Sequence, residues 1–254
     1  MRCEGDILAS FKSFQENKQN KRKVYQSLHY CVHREKTTKV FRGLSIQLVK
    51  CVELTVTENK IIFNRELSLL DHFVIDFVKL LEKHHVNYVI VSGYIAIVFG
   101  RSRNTEDVDV IVENPSQAIF NILWNDIIKR YECVNTSDPN DAYMDYLSEG
   151  CGIRFANKGT FIPNIEFKFV HGNDDCISIT QAKTLVLNGN SLRISPLELQ
   201  IAYKMYLGSD KDFEDAKFLF DLLREHLDIG KLNTFIASFK IKKTLVKRYL
   251  KGLQ

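Results

Sequence analysis

The chain reads as a mixed α/β (α+β) protein: a small mixed β-sheet packed by helices, then a helical C-terminal module. Three observations point there. Leu67, Leu70, Phe73, Val74, Phe77, Leu80 and Leu81 recur at three- and four-residue spacing, the period of a helix with one apolar face. Tyr88 to Val91 (YVIV), Val108 to Val112 and Ile165 to Val170 (IEFKFV) are short β-branched or alternating runs, the pattern of strands. After Pro196 the pattern becomes helical through PLELQIAYKMYLG and DKDFEDAKFLFDLLREHL, punctuated by Gly208 and Gly230.

The elements follow in order. Residues 1–60 form a basic extension whose structure the sequence defines poorly, although SIQLVKCVELTV suits a strand or a short helix. A helix begins near Arg65 and HHVN ends it. The YVIV strand meets a turn at Ser92-Gly93, and Tyr94 to Phe99 forms a short helix closed by Gly100. A second strand covers Val108 to Val112, and Pro115-Ser116 opens a helix reaching about Tyr131. The stretch from Asn135 to Gly159 is rich in Asn, Asp, Ser and Gly and reads as loop. IEFKFV is a third strand and Leu192 to Ile194 a weaker one. The core therefore spans residues 61–195, and the helical module with its basic tail spans 196–254.

Composition excludes several classes. Hydrophobic residues make up 45% of the 254, enough for a sizeable core. No apolar run approaches the about 20 residues of a membrane span, and the N-terminus lacks a secretory layout, so a cytoplasmic protein without a membrane partner is expected. Cys3, Cys31, Cys51, Cys133, Cys151 and Cys176 are scattered without a CxxC pair, which suits free thiols. Cys31 and His33 lack the second ligand pair that zinc requires. Both ends are basic: Lys18 to Lys23 and Arg34 to Arg42 at one, Lys240 to Lys251 at the other, with no acid after Asp228. Such ends suit phosphate backbones, or simply solvent. Most Phe and Tyr fall at helix or strand periodicity and read as core.

The chemistry sits in TEDVDV. Asp107 and Asp109 are two apart on a strand, so both carboxylates share a face. Two such charges resist joint ionisation unless a cation lies between them, and Mg²⁺ accepts one or two carboxylates plus phosphate oxygens. Ser92-Gly93 forms a turn where backbone N–H groups can approach a phosphate, and Arg101 and Arg103 can clamp one. Glu166 shares a strand face with Lys168. It is either a third metal ligand from a neighbouring strand or an outward-facing acid paired with Lys168.

The run Ser92-Gly93, Tyr94 to Phe99, Gly100, Arg101 to Arg103, Thr105, Glu106, Asp107, Asp109 resembles the signature of the DNA-polymerase-β-like nucleotidyltransferases, in particular the AbiEii-like and minimal nucleotidyltransferase branch of toxin type. The later segment from Pro196 is similar to that family's helical element, with Lys204 matching its lysine and Lys211, Asp212 and Asp215 its basic-Asp-x-x-Asp motif. The resemblance covers roughly residues 65 to 225 and departs from the pattern at Ser92, Tyr94 and Glu166. It implies an enzyme moving a nucleoside monophosphate from an NTP such as ATP to an acceptor hydroxyl. Mg²⁺ or Mn²⁺ would be held by Asp107, Asp109 and Glu166. The nucleotide would be contacted by Ser92, Gly93, Arg101, Arg103, Thr105, Lys204, Asp212 and Asp215. Implied partners are the NTP, a tRNA 3′ end or other RNA, and an antitoxin protein of a toxin–antitoxin or phage-defence pair; a protein side chain or small molecule is the other acceptor class. The alternative on the same fold is a non-catalytic nucleotide- or RNA-binding partner.

Overall fold

A computed structural model describes residues 27–30, 37–41, 44–48, 52–57 and 59–253, with side chains from Leu54 onward. Cys3, Cys31, Cys51 and the basic residues before Val52 thus have no described side chains. The strands are β1 (Ser27–Tyr30), β2 (Thr37–Phe41), β3 (Leu44–Leu48), β4 (Val52–Val56), β5 (Lys60–Phe63), β6 (Tyr88–Ile90), β7 (Asp107–Val112), β8 (Tyr131–Cys133), β9 (Ile153–Asn157), β10 (Asn164–Phe169), β11 (Lys183–Leu187) and β12 (Asn190–Ile194). The helices are α1 (Leu69–Lys83), α2 (Gly93–Val98), α3 (Gln117–Ile127), α4 (Asn173–Thr180), α5 (Leu197–Leu207), α6 (Asp210–Leu223), α7 (Ile229–Ser238) and α8 (Lys243–Tyr249).

Among the described residues ten strands form one mixed sheet in the order β1-β4-β5-β11-β12-β6-β7-β10-β9-β8, and β2 with β3 makes a separate hairpin. The expected class, a mixed sheet packed by helices with a helical C-terminal part, is what the chain adopts. The sheet is wider than the sequence suggested. It continues before residue 60 through β4 and β1. The stretch read as loop holds a helical turn (Pro139–Asp141), a π-helical turn (Ala142–Leu147) and β9. Strands β8 and β11 and helix α4 were also not read, and the helix from Pro115 stops at Ile127 because Tyr131 opens β8.

The two sheet faces differ. Val108, Val110 and Val112 of β7 and Ile165, Phe167 and Phe169 of β10 point into the main core, which also holds Phe73 and Phe77 of α1 and Phe120 and Trp124 of α3. Alternation sends Asp107, Asp109 and Ile111, with Glu166 and Lys168, to the other face. There α4 packs on β6 and β7, and Ile179 covers Val89, Val91 and Ile111. That leaves the carboxylate end outside the small apolar patch.

One buried ionic knot joins α1 to the start of α2. Asp71 closes the capping box of α1 with Ser68 and is fully buried. It accepts two bonds from Arg65, at 2.7 and 2.8 Å, and one from the Tyr94 hydroxyl at 2.7 Å. Burial opposes its charge, but the bonds from Arg65, Ser68 and Tyr94 hold the carboxyl below its ordinary range. Its stabilising contribution is therefore present above the unfolded-state pKa and lost as pH falls through the lower folded-state value. Asp71→Asn is expected to lower stability by about 3–5 kcal/mol, because Arg65 loses its buried counter-charge. Urea denaturation at neutral pH checks this, and the gap between the two proteins should narrow under acid conditions.

Candidate active site

Parallel pairing of β7 with β10 sets Asp109 directly opposite Glu166, and Asp107 opposite Asn164. Asp109 and Glu166 are thus neighbours across adjacent strands, and Asp107 lies two residues along on the same face. Like charges placed opposite one another repel. Lys168 answers this: its Nζ is 3.7 Å from Asp109 Oδ1 and 3.8 Å from Glu166 Oε1. Arg154, opposite Glu166 on β9, reaches Glu166 Oε2 at 3.2 Å. Glu166 is paired with Lys168, as one of its two readings has it, and it also faces Asp109. Thr105 Oγ1 lies 3.0 Å from the Asp107 main-chain oxygen and 3.2 Å from its Oδ1. Burial pushes the Asp109 carboxyl above its ordinary range; Lys168 and a Ser92 hydrogen bond pull it down, and Glu166 and Asp107 push it up.

The turn after β6 frames this face. Ser92 takes φ 64° and ψ −136°, a backbone state costing a side-chain-bearing residue about 1–3 kcal/mol. Two bonds hold it there. Its N–H donates to Gln200 Oε1 at 2.8 Å, and its side chain bonds Asp109. The Ser92 N–H is therefore already used. Helix α2 has six residues, too few for its dipole to dominate. A Cβ on Gly93 would stand 2.4 Å from Arg103 Nη2, so the missing side chain lets the guanidinium lie on the turn. The Tyr94 hydroxyl points away, into the knot at Asp71.

A cation cluster lies alongside. Gly208 caps α5 in the left-handed region at φ 75°, and Ser209 caps α6 one residue later. This tight reversal lays Lys204 against the first turns of α6. Lys204 Nζ is 2.8 Å from Asp212 Oδ1 and 3.0 Å from Asp215 Oδ2. Arg103 Nη1 is 2.7 Å from Asp215 Oδ2. Arg101 pairs with Asp215 and with Glu214 Oε2. Asp215 is fully buried and serves as counter-ion to all three cations. Lys204, 3% exposed, has its ammonium pushed below the ordinary range by burial, against the pull of Asp212. Arg103 is lowered by burial and by Arg101, while Asp212 and Asp107 oppose. The charge of Asp109 acts on Lys204 and that of Asp107 on Arg103, so cations and carboxylates form one electrostatic unit. Among the described residues Arg103 Nε is a buried donor without a hydrogen-bond partner.

The structure thus brings together Ser92, Gly93, Arg101, Arg103, Thr105, Asp107, Asp109, Glu166, Lys204, Asp212 and Asp215. Arg154 and Gln200 were missed. Arg154 sits on the strand read as loop, although the Ile153/Phe155 alternation was a signal for it. Gln200 carries no sequence signal beyond its helix. Three carboxylates lie on one face of adjacent strands, the donor type that a hard divalent ion takes. Among the described residues no group of three His, Cys, Asp or Glu side chains stands close enough to hold a metal as it is. Lys168 fills the gap between two of the carboxylates.

No protein-family model matches the chain, and no curated protein matches it. Among solved structures it is similar to an antigenic nucleotidyltransferase-like protein from Paracoccidioides brasiliensis (16% identity, TM-score 0.46, 71% of this chain and 91% of that one). It is also similar to ANT(2'')-Ia in complex with adenylyl-2''-tobramycin (13%, 0.45, 68% and 98%). A third likeness is a tRNA nucleotidyltransferase complexed with a primer tRNA and an incoming ATP analog (15%, 0.28, 68% and 60%). Among the described residues no helix is long and apolar enough to cross a membrane.

Buried Asp215 and half-buried Asp109 should respond oppositely to neutralisation. Asp215→Asn is expected to cost about 3–5 kcal/mol, because Lys204 and Arg103 lose their shared counter-ion. Asp109→Asn is expected to raise the thermal midpoint by about 2 °C at neutral pH in chelator, because the fold disfavours the charged form. That gain should shrink as pH falls through the raised folded-state pKa. Thermal melts of the two variants across pH check both signs.

Proposed function

We propose that the chain is a metal-dependent nucleotidyltransferase that moves a nucleoside monophosphate from an NTP to an acceptor hydroxyl. The observation that carries this reading is the register that faces Asp109 with Glu166 beside Asp107, next to the Arg103–Lys204 cluster. Asp107, Asp109 and Glu166 would hold Mg²⁺ or Mn²⁺. Bound there, the ion would polarise the α-phosphate and offset charge developing on the leaving pyrophosphate.

The chain's own residues supply the rest. Arg103, Lys204 and Arg101 contribute positive potential to a phosphate bound beside them. Gly93 keeps the turn open for the Arg103 guanidinium. Ser92 orients Asp109, and Thr105 orients Asp107. The acceptor oxygen attacks the α-phosphorus, the bond to the β-phosphate bridging oxygen breaks, and the hydroxyl proton passes to Glu166. Asp212 and Asp215 act through the cations rather than on the nucleotide, since both are engaged with Lys204.

An RNA acceptor is the favoured class, and a toxin-type role rests on the sequence resemblance alone. Helix α8 is docked by Tyr249, whose ring stacks on Phe213 of α6 at 4.5 Å. That contact seats exposed Lys243, Lys247 and Arg248 on the same helix that carries Asp212 and Asp215. Phosphates of a polyanion would meet those cations.

Transfer of label from α-³²P-NTPs to RNA and protein acceptors in Mg²⁺ tests the reading. Wild type is expected to label RNA, and Asp107→Ala and Glu166→Ala to lose about 100-fold or more. Equal labelling by wild type and Asp107→Ala would return the chain to the alternative, a non-catalytic nucleotide- or RNA-binding partner. In a separate binding titration, Lys243→Ala with Lys247→Ala is expected to weaken RNA binding and to flatten the log–log salt slope by about one per cation removed. An unchanged slope would move the acceptor elsewhere.

A further inference from the structure

Among the described residues Lys168 is the one cation that reaches both facing carboxylates, and no part of the transfer chemistry above uses it. It stands on β10 two residues from Glu166, on the same face, and sits 3.7 Å from Asp109 Oδ1 and 3.8 Å from Glu166 Oε1. Those separations are ion-pair contacts rather than short hydrogen bonds, so the ammonium lies between the two acids instead of docking on either. Glu166 holds a second cation, Arg154, on its other oxygen. Asp109, by contrast, has Lys168 alone as a cationic partner within ion-pair distance among the described residues. The Lys168 side chain is only partly exposed, at 30%, so its charge is felt more strongly than that of a free surface lysine.

We propose that Lys168 is a tethered counter-cation: it fills the gap between Asp109 and Glu166 when no divalent ion is bound, and must leave for one to enter. The inference rests on the metal-site reading and adds a regulatory property to it. A +1 charge on a flexible stem cannot share a gap with a divalent ion only a few ångströms away, so the two compete. The consequence is a site that stays charge-balanced and folded without metal and binds metal more weakly than its three carboxylates alone would.

Mn²⁺ titration of the full chain by calorimetry, paired with thermal melts in chelator, tests this. Lys168→Met keeps the stem and removes the charge. It is expected to bind Mn²⁺ about tenfold or more tightly than wild type and to melt at a lower temperature in chelator, with the loss regained on adding Mn²⁺. Lys168→Arg, which keeps a cation, is expected to bind no more tightly than wild type. Asp109→Ala controls for the site and should abolish the titration. If Lys168→Met binds Mn²⁺ no better than wild type while Asp109→Ala abolishes binding, Lys168 is only a structural partner; the counter-cation proposal fails and the metal-site reading stands. If neither wild type nor Lys168→Met binds Mn²⁺, the metal-site reading fails and takes this proposal with it.

Discussion

Everything at the candidate site depends on two strands running in parallel with a fixed register. Because β7 and β10 alternate in step, one face of the pair carries valines and aromatics and the other carries Asp107, Asp109, Glu166 and Lys168. A one-residue slip of either strand would bury the acids and expose the core set. The hydrophobic requirement of Phe167, Phe169, Val108 and Val110 therefore also positions the charged groups. The repulsion this creates is unavoidable, and the fold meets it with cations. Lys168 and Arg154 compensate on the sheet, and Arg103 and Lys204 stand nearby.

A second charge balance holds the phosphate side. Asp215 is buried among Arg101, Arg103 and Lys204, and would be untenable without them. Its role is to gather cations from a loop and a helix far apart in sequence into one place. The reversal at Gly208 makes this possible by setting α6 against α5 within three residues. At the other end of α2, Tyr94 is tied to Asp71 and Arg65, so the helix that follows the turn is pinned to α1 rather than free to move with a ligand. Rigid anchors on both sides leave Lys168, partly exposed and held by longer ion-pair contacts, as the less constrained cation of the site.

Much of this was legible in the sequence because its signals are local. The period of Phe73, Val74 and Phe77, the alternation in DVDVIV and IEFKFV, and the Gly208-Ser209 break each specify an element by themselves. The shared face of Asp107 and Asp109 follows from strand geometry alone. The partner of Glu166 did not, because strand neighbours are set by register and not by spacing. Strand β9 was lost among polar residues although its alternate positions are buried, and it brought Arg154 with it. The Arg101–Asp215 and Ser92–Gln200 contacts join residues more than a hundred positions apart, which no periodicity reports. The departure at Tyr94 has a physical reason that only the packing discloses: its hydroxyl serves the core.

On the proposed function the charged face of the β7–β10 pair binds a divalent cation together with a nucleoside triphosphate. Anomalous diffraction from crystals grown with Mn²⁺ and a non-hydrolysable NTP tests this. A manganese peak bounded by Asp107, Asp109 and Glu166 is expected, with the Lys168 ammonium withdrawn from between them and a phosphate beside the Arg103 guanidinium. A nucleotide bound elsewhere, or no peak at those carboxylates, would contradict it.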